Sequence, residues 1–225
     1  DPRKDVCGMI LETFQGWGAI FYPQEYVMEV EVFAKEANAL FAFDEMQAGF
    51  GRTGKLFGYM HYGVEPDLLC CGKGASSSLP LSMVLGSSDI MDLPDIGSMS
   101  STHSANPMVC AAGLANLQAI IEDGLIDNSS ALGEIFHQEL DKIKKSFADH
   151  LFLVEGKGLL AALIFRSTDG EPLATLCDRI SALCLQRGLL VVHTGRESIK
   201  LAPPLMITKE ALFEGLNVLS QSIED

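Results

Sequence analysis

The sequence predicts an α/β domain with a mainly parallel sheet, followed by a smaller α+β domain. Residues 39–43 and 68–71 are short, apolar and without helical periodicity, which is typical of strands buried on both faces of a parallel sheet. Residues 128–149 then have the spacing of an amphipathic helix, and short apolar strands follow it. We therefore expect one domain over residues 1–121 and a second over residues 122–225.

The other elements are predicted from the same patterns and from residues that begin or end helices. Pro23 opens the first helix, Asn106 and Pro107 start a long apolar one, Gly188 ends a third, and Thr208 caps the last. The predicted helices cover residues 24–38, 108–121, 128–149, 173–187 and the stretch after Thr208. The predicted strands cover residues 6–11, 39–43, 68–71, 81–85, 151–154, 159–165, 189–193 and 198–201, with a glycine-rich loop over residues 12–18.

Two charged residues follow the apolar strands of the first domain. Asp44 comes directly after the strand at 39–43, at the carboxyl end where open α/β sheets bind ligands. Lys73 lies just past the strand at 68–71, between Gly72 and Gly74. Alone, the aspartate would be interpreted as a hydrogen-bonded turn carboxylate and the lysine as a surface turn residue. Together they suit pyridoxal phosphate, because a lysine can hold its aldehyde as an imine and a carboxylate can keep its ring nitrogen protonated.

Two nucleotide-binding interpretations of the same stretch are rejected. Residues 49–54 fit the pattern G-x-G-x-x-G, but residues 44–48 separate them from the strand and no long uninterrupted helix follows. The pair Asp44 and Glu45 is also found in nucleotide hydrolases. The chain, however, contains no G-x-x-x-x-G-K-[ST] loop.

Four segments together resemble the class III pyridoxal-phosphate-dependent aminotransferases, which have the type I fold. They are DEMQAGFGRTG at residues 44–54, PD at 66–67, GKG at 72–74 and THSANP at 102–107. The resemblance runs essentially from Val6 to the C-terminus. It implies an enzyme that moves an amino group from an amine or amino acid donor to a 2-oxo acid, working as a homodimer.

The resemblance also implies a role for each candidate site residue. Lys73 would form the Schiff base and act as the catalytic base, and Asp44 would pair with the pyridine nitrogen. Gln47 would hydrogen-bond the phenolic oxygen of the cofactor, and Met46 would pack on one face of its ring. Thr102 would contact the phosphate bound by the other subunit.

Two positions depart from the family pattern, and both concern the substrate. Trp17 stands where many relatives carry an acidic residue, and it could be a substrate-facing wall or ordinary packing. Lys200 stands where an arginine usually binds the substrate carboxylate, and lysine lacks the bidentate fork. We expect a preference for donors with an apolar or extended body over short dicarboxylates.

Composition bounds the remaining possibilities. A net charge of −14 argues against nucleic acid and anionic membranes as partners, and no apolar run is long enough to cross a bilayer. The six cysteines have no metal-type spacing and are interpreted as reduced core residues of a cytoplasmic protein. His61 and His103 belong to no ligand cluster, so we assign no metal site.

The resemblance covers only the C-terminal half of a member. Relatives carry a glycine-containing phosphate loop and a ring-stacking aromatic residue upstream, and neither is found in this chain. We therefore expect the isolated chain to bind the cofactor weakly or not at all, and to show no transamination. Alternatives are a fragment with only a structural or dimerisation role, or another class III reaction such as an aminomutase, racemase or decarboxylase.

Overall fold

The computed structural model describes residues 5–225, which form two compact units. One unit contains the described residues up to Thr13 together with Tyr22–Phe50 and Leu56–Gly124. The other contains Leu125–Asp225 and two short segments, Phe14–Phe21 and Gly51–Lys55. We call them the N-terminal and C-terminal units. The assignment of residues 1–121 and 122–225 as domains stays a prediction.

Within residues 5–225 the chain forms ten strands and six α-helices. In chain order they are β1 (Gly8–Glu12), β2 (Phe14–Gln15), β3 (Ile20–Phe21), α1 (Gln24–Glu36), β4 (Leu40–Asp44), β5 (Leu68–Cys71), β6 (Met83–Gly86), α2 (Ser88–Met91), α3 (Pro107–Glu122), α4 (Leu125–Ser146), β7 (Leu151–Lys157), β8 (Leu160–Phe165), α5 (Ala174–Gln186), β9 (Val192–His193), β10 (Ser198–Leu201) and α6 (Lys209–Glu224). Single 3₁₀ turns cover Gly58–His61 and Lys73–Ala75.

The sheet of the N-terminal unit is mainly parallel, as the sequence predicts. Its strand order is β1-β4-β5-β6, with β1, β4 and β5 parallel and β6 antiparallel to β5. The central strand β4 buries Phe41, Ala42 and Phe43, which explains why its sequence has no polar alternation. The carboxyl ends of β1, β4 and β5 therefore meet at one edge of the sheet.

The helix boundaries follow the predicted capping residues. The Asn106 side chain accepts hydrogen bonds from the backbone N–H groups of Met108 (3.0 Å) and Val109 (3.4 Å), with Pro107 as the first helical residue. Thr208 accepts one from Ala211 N at 3.3 Å. These side chains satisfy amide groups that the first turn of a helix leaves without partners.

The C-terminal unit is an antiparallel sheet combined with helices. Its strand order is β7-β8-β10-β9, and all neighbours are antiparallel. All six residues of β8 are buried, and this strand lies at the centre of a core that includes Phe136 and Leu140 from α4, Ile180 from α5 and Leu216 from α6. The predicted α+β arrangement is confirmed.

Several sequence predictions are wrong in detail. The loop at residues 12–18 contains β2 and, with β3, forms a hairpin in which the rings of Phe14 and Phe21 lie 5.3 Å apart. Strand β9 has two residues instead of five, and α4 begins at Leu125. The cysteines are not all core residues, because Cys7 and Cys110 are exposed.

No single helix within residues 5–225 combines the length and apolarity of a membrane span. Helices α3 and α4 reach that threshold only when they are counted together across the break between them.

Candidate functional site

Asp44 is the last residue of β4, and the strand pairing fixes its neighbours. Its Cα lies opposite Glu12 on β1 and opposite Cys70 on β5. The side chain is half-buried, and its Oδ1 accepts a hydrogen bond from the backbone N–H of Met46 at 2.9 Å. This bond turns the chain sharply after the strand and holds the carboxylate at the sheet edge, where ligands of open α/β folds bind.

Lys73 lies two residues beyond the end of β5, and β5 is the strand next to the one that ends at Asp44. It opens a 3₁₀ turn with φ of 41°, a left-handed conformation that residues with a side chain rarely adopt. A hydrogen bond from Ala75 N to the Gly72 carbonyl at 2.9 Å closes this turn. The Lys73 side chain is exposed. A strained backbone at a residue with a nucleophilic amine is typical of functional sites.

Met46 connects the two strand ends. A Cβ placed on Gly72 would lie 2.4 Å from Met46 Sδ, so the thioether rests directly on the glycine backbone beside Lys73. Only glycine allows this contact. The structure thus brings together Asp44, Met46 and Lys73, and Gln47 follows in the same turn, half-buried.

Thr102 lies on the exposed stretch between α2 and α3. The contact predicted for it is with the cofactor of another subunit.

Glu45 is an important residue of this region to which sequence analysis gave no role. Its side chain is fully buried, and it accepts hydrogen bonds from Thr13 Oγ1 (2.6 Å), Gly58 N (2.8 Å) and Tyr59 N (2.6 Å). Burial raises the pKa of the Glu45 carboxyl, and the three hydrogen bonds oppose that rise. The carboxylate anchors the turn that carries Met46 to the segment after Phe57. Its position next to Asp44 was the only signal in the sequence.

Arg52 has a structural role in residues 49–54, the segment that fits the dinucleotide-binding pattern G-x-G-x-x-G. Its Nη1 donates hydrogen bonds to the carbonyl oxygens of Leu159 (2.9 Å) and Pro203 (2.6 Å) within the C-terminal unit. A Cβ on Gly158 would lie 2.4 Å from the carbonyl carbon of Thr53, so backbone packs on backbone here. Burial lowers the pKa of the Arg52 guanidinium. Arg52 of this motif therefore binds protein backbone, and the backbone of Thr53 and Gly54 packs against Gly158.

Trp17 and Lys200, the two candidates for substrate contact, lie together in the C-terminal unit. The tip of the β2–β3 hairpin, Gly16–Trp17, is attached to β10 by two hydrogen bonds. Ser198 Oγ donates to the Trp17 carbonyl and Lys200 Nζ donates to the Gly16 carbonyl, both at 2.8 Å. The guanidinium of Arg196 lies 4.0 Å from the centre of the Trp17 ring. The Lys200 ammonium is thus engaged by the hairpin, which sequence analysis did not foresee.

Within residues 5–225, no group of three His, Cys, Asp or Glu side chains is arranged to hold a metal ion.

Comparison with known protein families decides the family. The model of the family described as aminotransferase class III matches residues 2–223, nearly the whole chain. The chain belongs to the class III aminotransferases. The resemblance found in the sequence is confirmed, and with it the type I fold of pyridoxal-phosphate-dependent transferases. Pyridoxal phosphate is the cofactor of this class.

Individual class III relatives are similar over almost all of this chain. The 4-aminobutyrate aminotransferase of Mycobacterium leprae is 33% identical over 98% of this chain and 50% of its own length. The alanine/serine racemase of Pyrococcus horikoshii is 33% identical over 100% of this chain and 48% of its own. A solved structure of ornithine delta-aminotransferase from Plasmodium falciparum superposes with a TM-score of 0.88, at 34% identity, over 98% of this chain and 55% of that chain. The chain spans about half the length of the curated relatives it matches.

The residues present suit the class III cofactor. An exposed lysine amine follows β5, and a half-buried carboxylate ends the neighbouring strand β4. The thioether of Met46 lies against Gly72, the residue before Lys73, and adds an apolar group beside the lysine.

Proposed function

We propose that this chain provides the cofactor-binding and C-terminal part of a pyridoxal-phosphate-dependent aminotransferase. The observation that carries the proposal is the pairing of β4 and β5, since it puts Asp44 and the segment leading to Lys73 on adjacent strand ends. Carboxylate and amine are the two groups that this cofactor requires from the protein. Names of similar proteins support the reaction class, because several are aminotransferases.

Each residue of the cluster has a proposed task. Lys73 binds the cofactor covalently through its amine, and in catalysis the same amine moves a proton to and from the substrate Cα. Asp44 holds the proton on the pyridine nitrogen. Met46 contacts one face of the ring, and Gln47 donates a hydrogen bond to the phenolic oxygen. The bound cofactor supplies an electron sink for the bond that breaks at Cα.

The wider organisation is proposed on the same basis. The donor is an amine or amino acid and the acceptor a 2-oxo acid, in a cytoplasmic protein that works as a homodimer. Thr102 then contacts the phosphate in the partner's site. Residues 1–121 belong to the large cofactor-binding domain, and residues 122–225 form the small domain. The aromatic Trp17 favours donors with an extended body, and 4-aminobutyrate and ornithine, named for two relatives, have such bodies.

The runner-up function is a different reaction of the same class. A relative named alanine/serine racemase has the same level of identity as the aminotransferases, so the cofactor site alone does not select the reaction. A third candidate is a fragment with only a structural or dimerisation role.

A single assay separates these functions. The gene product, expressed as encoded, is incubated with pyridoxal phosphate, 4-aminobutyrate or ornithine, and 2-oxoglutarate, and glutamate formation is measured. A parallel reaction with L-alanine is analysed for D-alanine. We expect glutamate formation that is lost in Lys73→Ala and kept in Lys145→Ala on α4. Formation of D-alanine without glutamate supports the racemase, and inactivity of the cofactor-loaded protein in both assays supports the structural role.

A further inference from the structure

The backbone that carries Lys73 is strained at two positions. The φ of Lys73 is 41°, and that of Ser77, four residues later, is 65°. Residues with a side chain adopt this left-handed conformation only at a cost in free energy, and they keep it where the surrounding structure holds them. Within the turn, Ala75 N donates to the Gly72 carbonyl at 2.9 Å. Support from outside the turn is therefore expected.

Helix α3 supplies such support through Asn116. Its side-chain Nδ2 donates hydrogen bonds to the carbonyl oxygens of Gly74 at 2.7 Å and of Ala75 at 3.2 Å. These are the first and second residues after Lys73. The opposite orientation of the amide would place its oxygen against two carbonyl oxygens, so the partners fix its orientation. One side chain thus binds two consecutive carbonyl groups of the lysine turn.

The sequence of α3 permits this close approach. Gly113, one turn before Asn116, is buried, and a Cβ placed on it would lie 2.6 Å from Leu81 Cδ2 and 3.6 Å from the Ala75 carbonyl oxygen. Asparagine is unfavourable inside a helix, because its side chain competes for backbone hydrogen bonds. Asn116 is nevertheless in the interior of α3, and its amide binds outside the helix. Its contribution therefore lies in the turn and not in the helix.

We propose that Asn116 is a positioning residue for Lys73, whose amide holds the turn in the conformation that presents the lysine amine to the cofactor. Asn116 binds only backbone, so it acts through Lys73. Without the amide, two carbonyl groups lose their donor and the strained backbone relaxes. The lysine amine then occupies more positions, and more entropy is lost when it binds the cofactor. The inference rests on the proposed function for the role of Lys73 as the cofactor lysine.

Hydrogen exchange of the gene product, expressed as encoded and without added cofactor, provides the first test. Asn116→Ala removes the amide and has the higher helix propensity, so α3 itself is kept. Gln118→Ala removes an exposed amide from the same helix and is the matched control. Mass spectrometry follows the peptide that covers residues 72–79. We expect its protected amides to exchange about tenfold faster in Asn116→Ala than in the control, as for one lost hydrogen bond.

Labelling of Lys73 provides the second test. The same variants are mixed with graded concentrations of pyridoxal phosphate and reduced with borohydride. We expect the concentration for half-maximal labelling of Lys73 to rise about tenfold in Asn116→Ala, while the urea midpoint stays at that of Gln118→Ala. Asn116→Asp has nearly the same shape but no donor at neutral pH, so it should resemble Asn116→Ala.

Three results would overturn the inference. They are equal exchange of residues 72–79 in Asn116→Ala and Gln118→Ala, an unchanged half-maximal concentration for Lys73, and faster exchange throughout the N-terminal unit, which would show a general structural role. The absence of saturable labelling of Lys73 in the unmodified gene product would instead contradict the proposed function. The exchange measurement would then still decide whether Asn116 holds the turn.

Discussion

Replacing Glu45 removes the acceptor of three hydrogen bonds in the N-terminal unit. Thr13 Oγ1 can turn to another partner, but the amides of Gly58 and Tyr59 are fixed by the 3₁₀ turn that begins there. Each buried donor left without a partner costs about 1–3 kcal/mol, so Glu45→Ala should lose about 2–6 kcal/mol of unfolding free energy from the two amides. Glu45→Gln keeps the shape of the side chain but turns its NH₂ group toward one of the donors. This variant should lose about 1–3 kcal/mol of unfolding free energy.

Urea unfolding at neutral pH, followed by far-ultraviolet circular dichroism, measures both losses. Tryptophan fluorescence is unsuitable, since Trp17 belongs to the C-terminal unit. Glu36→Gln, an exposed residue at the end of α1, is the control and should change stability by less than about 0.5 kcal/mol. The reasoning is refuted if Glu45→Gln is as stable as this control. If Glu45→Ala does not fold, the glutamine variant still decides.

Three further predictions concern the cofactor site and acid stability. Asp44→Asn should lower turnover of the gene product by several orders of magnitude with the fold intact, and normal turnover would disprove its role. Gly72→Ala should displace Met46, whose sulfur lies 2.4 Å from the added methyl, and weaken cofactor binding, whereas Gly215→Ala, with 3.4 Å to Leu189, should not. The backbone amide of Glu197 and the neighbouring Arg166 lower the pKa of the Glu197 carboxyl. The Glu197 carboxylate therefore stabilises the fold above its unfolded-state pKa of 4.5, and this contribution is lost as the pH falls through its lower pKa in the folded chain. Urea unfolding at several pH values should show that Glu197→Gln reduces the fall in unfolding free energy at acid pH.

Local patterns were sufficient to predict most of the elements. Residues 68–71 and 198–201 were predicted with their observed bounds, because short apolar or alternating runs between turn residues have few alternatives. The hairpin β2–β3 was missed because each of its strands has two residues, too few for a pattern. Strand β9 was predicted too long because Leu189 and Val191 pack against the core outside any strand.

The sequence predicted the site residues that directly follow strands. It did not predict the residues whose hydrogen-bond partners are distant in the sequence. Asp44 and Lys73 stand out by residue type and position alone. The donors to Glu45 come from 13 to 32 residues away, and the Pro203 acceptor of Arg52 lies 151 residues away. The engagement of Lys200 by Gly16 spans 184 residues. Only the folded chain brings such groups together.

Reductive trapping of the cofactor tests the central claim most directly. The gene product, expressed as encoded, is mixed with graded concentrations of pyridoxal phosphate, reduced with borohydride, digested, and mapped by mass spectrometry. We predict that the label appears first and saturably on Lys73, and that Lys73→Arg leaves only the unsaturable labelling of surface lysines. Saturable labelling of another lysine, or labelling of Lys73 no better than that of Lys145, would contradict the assignment of Lys73 and Asp44 as the cofactor site.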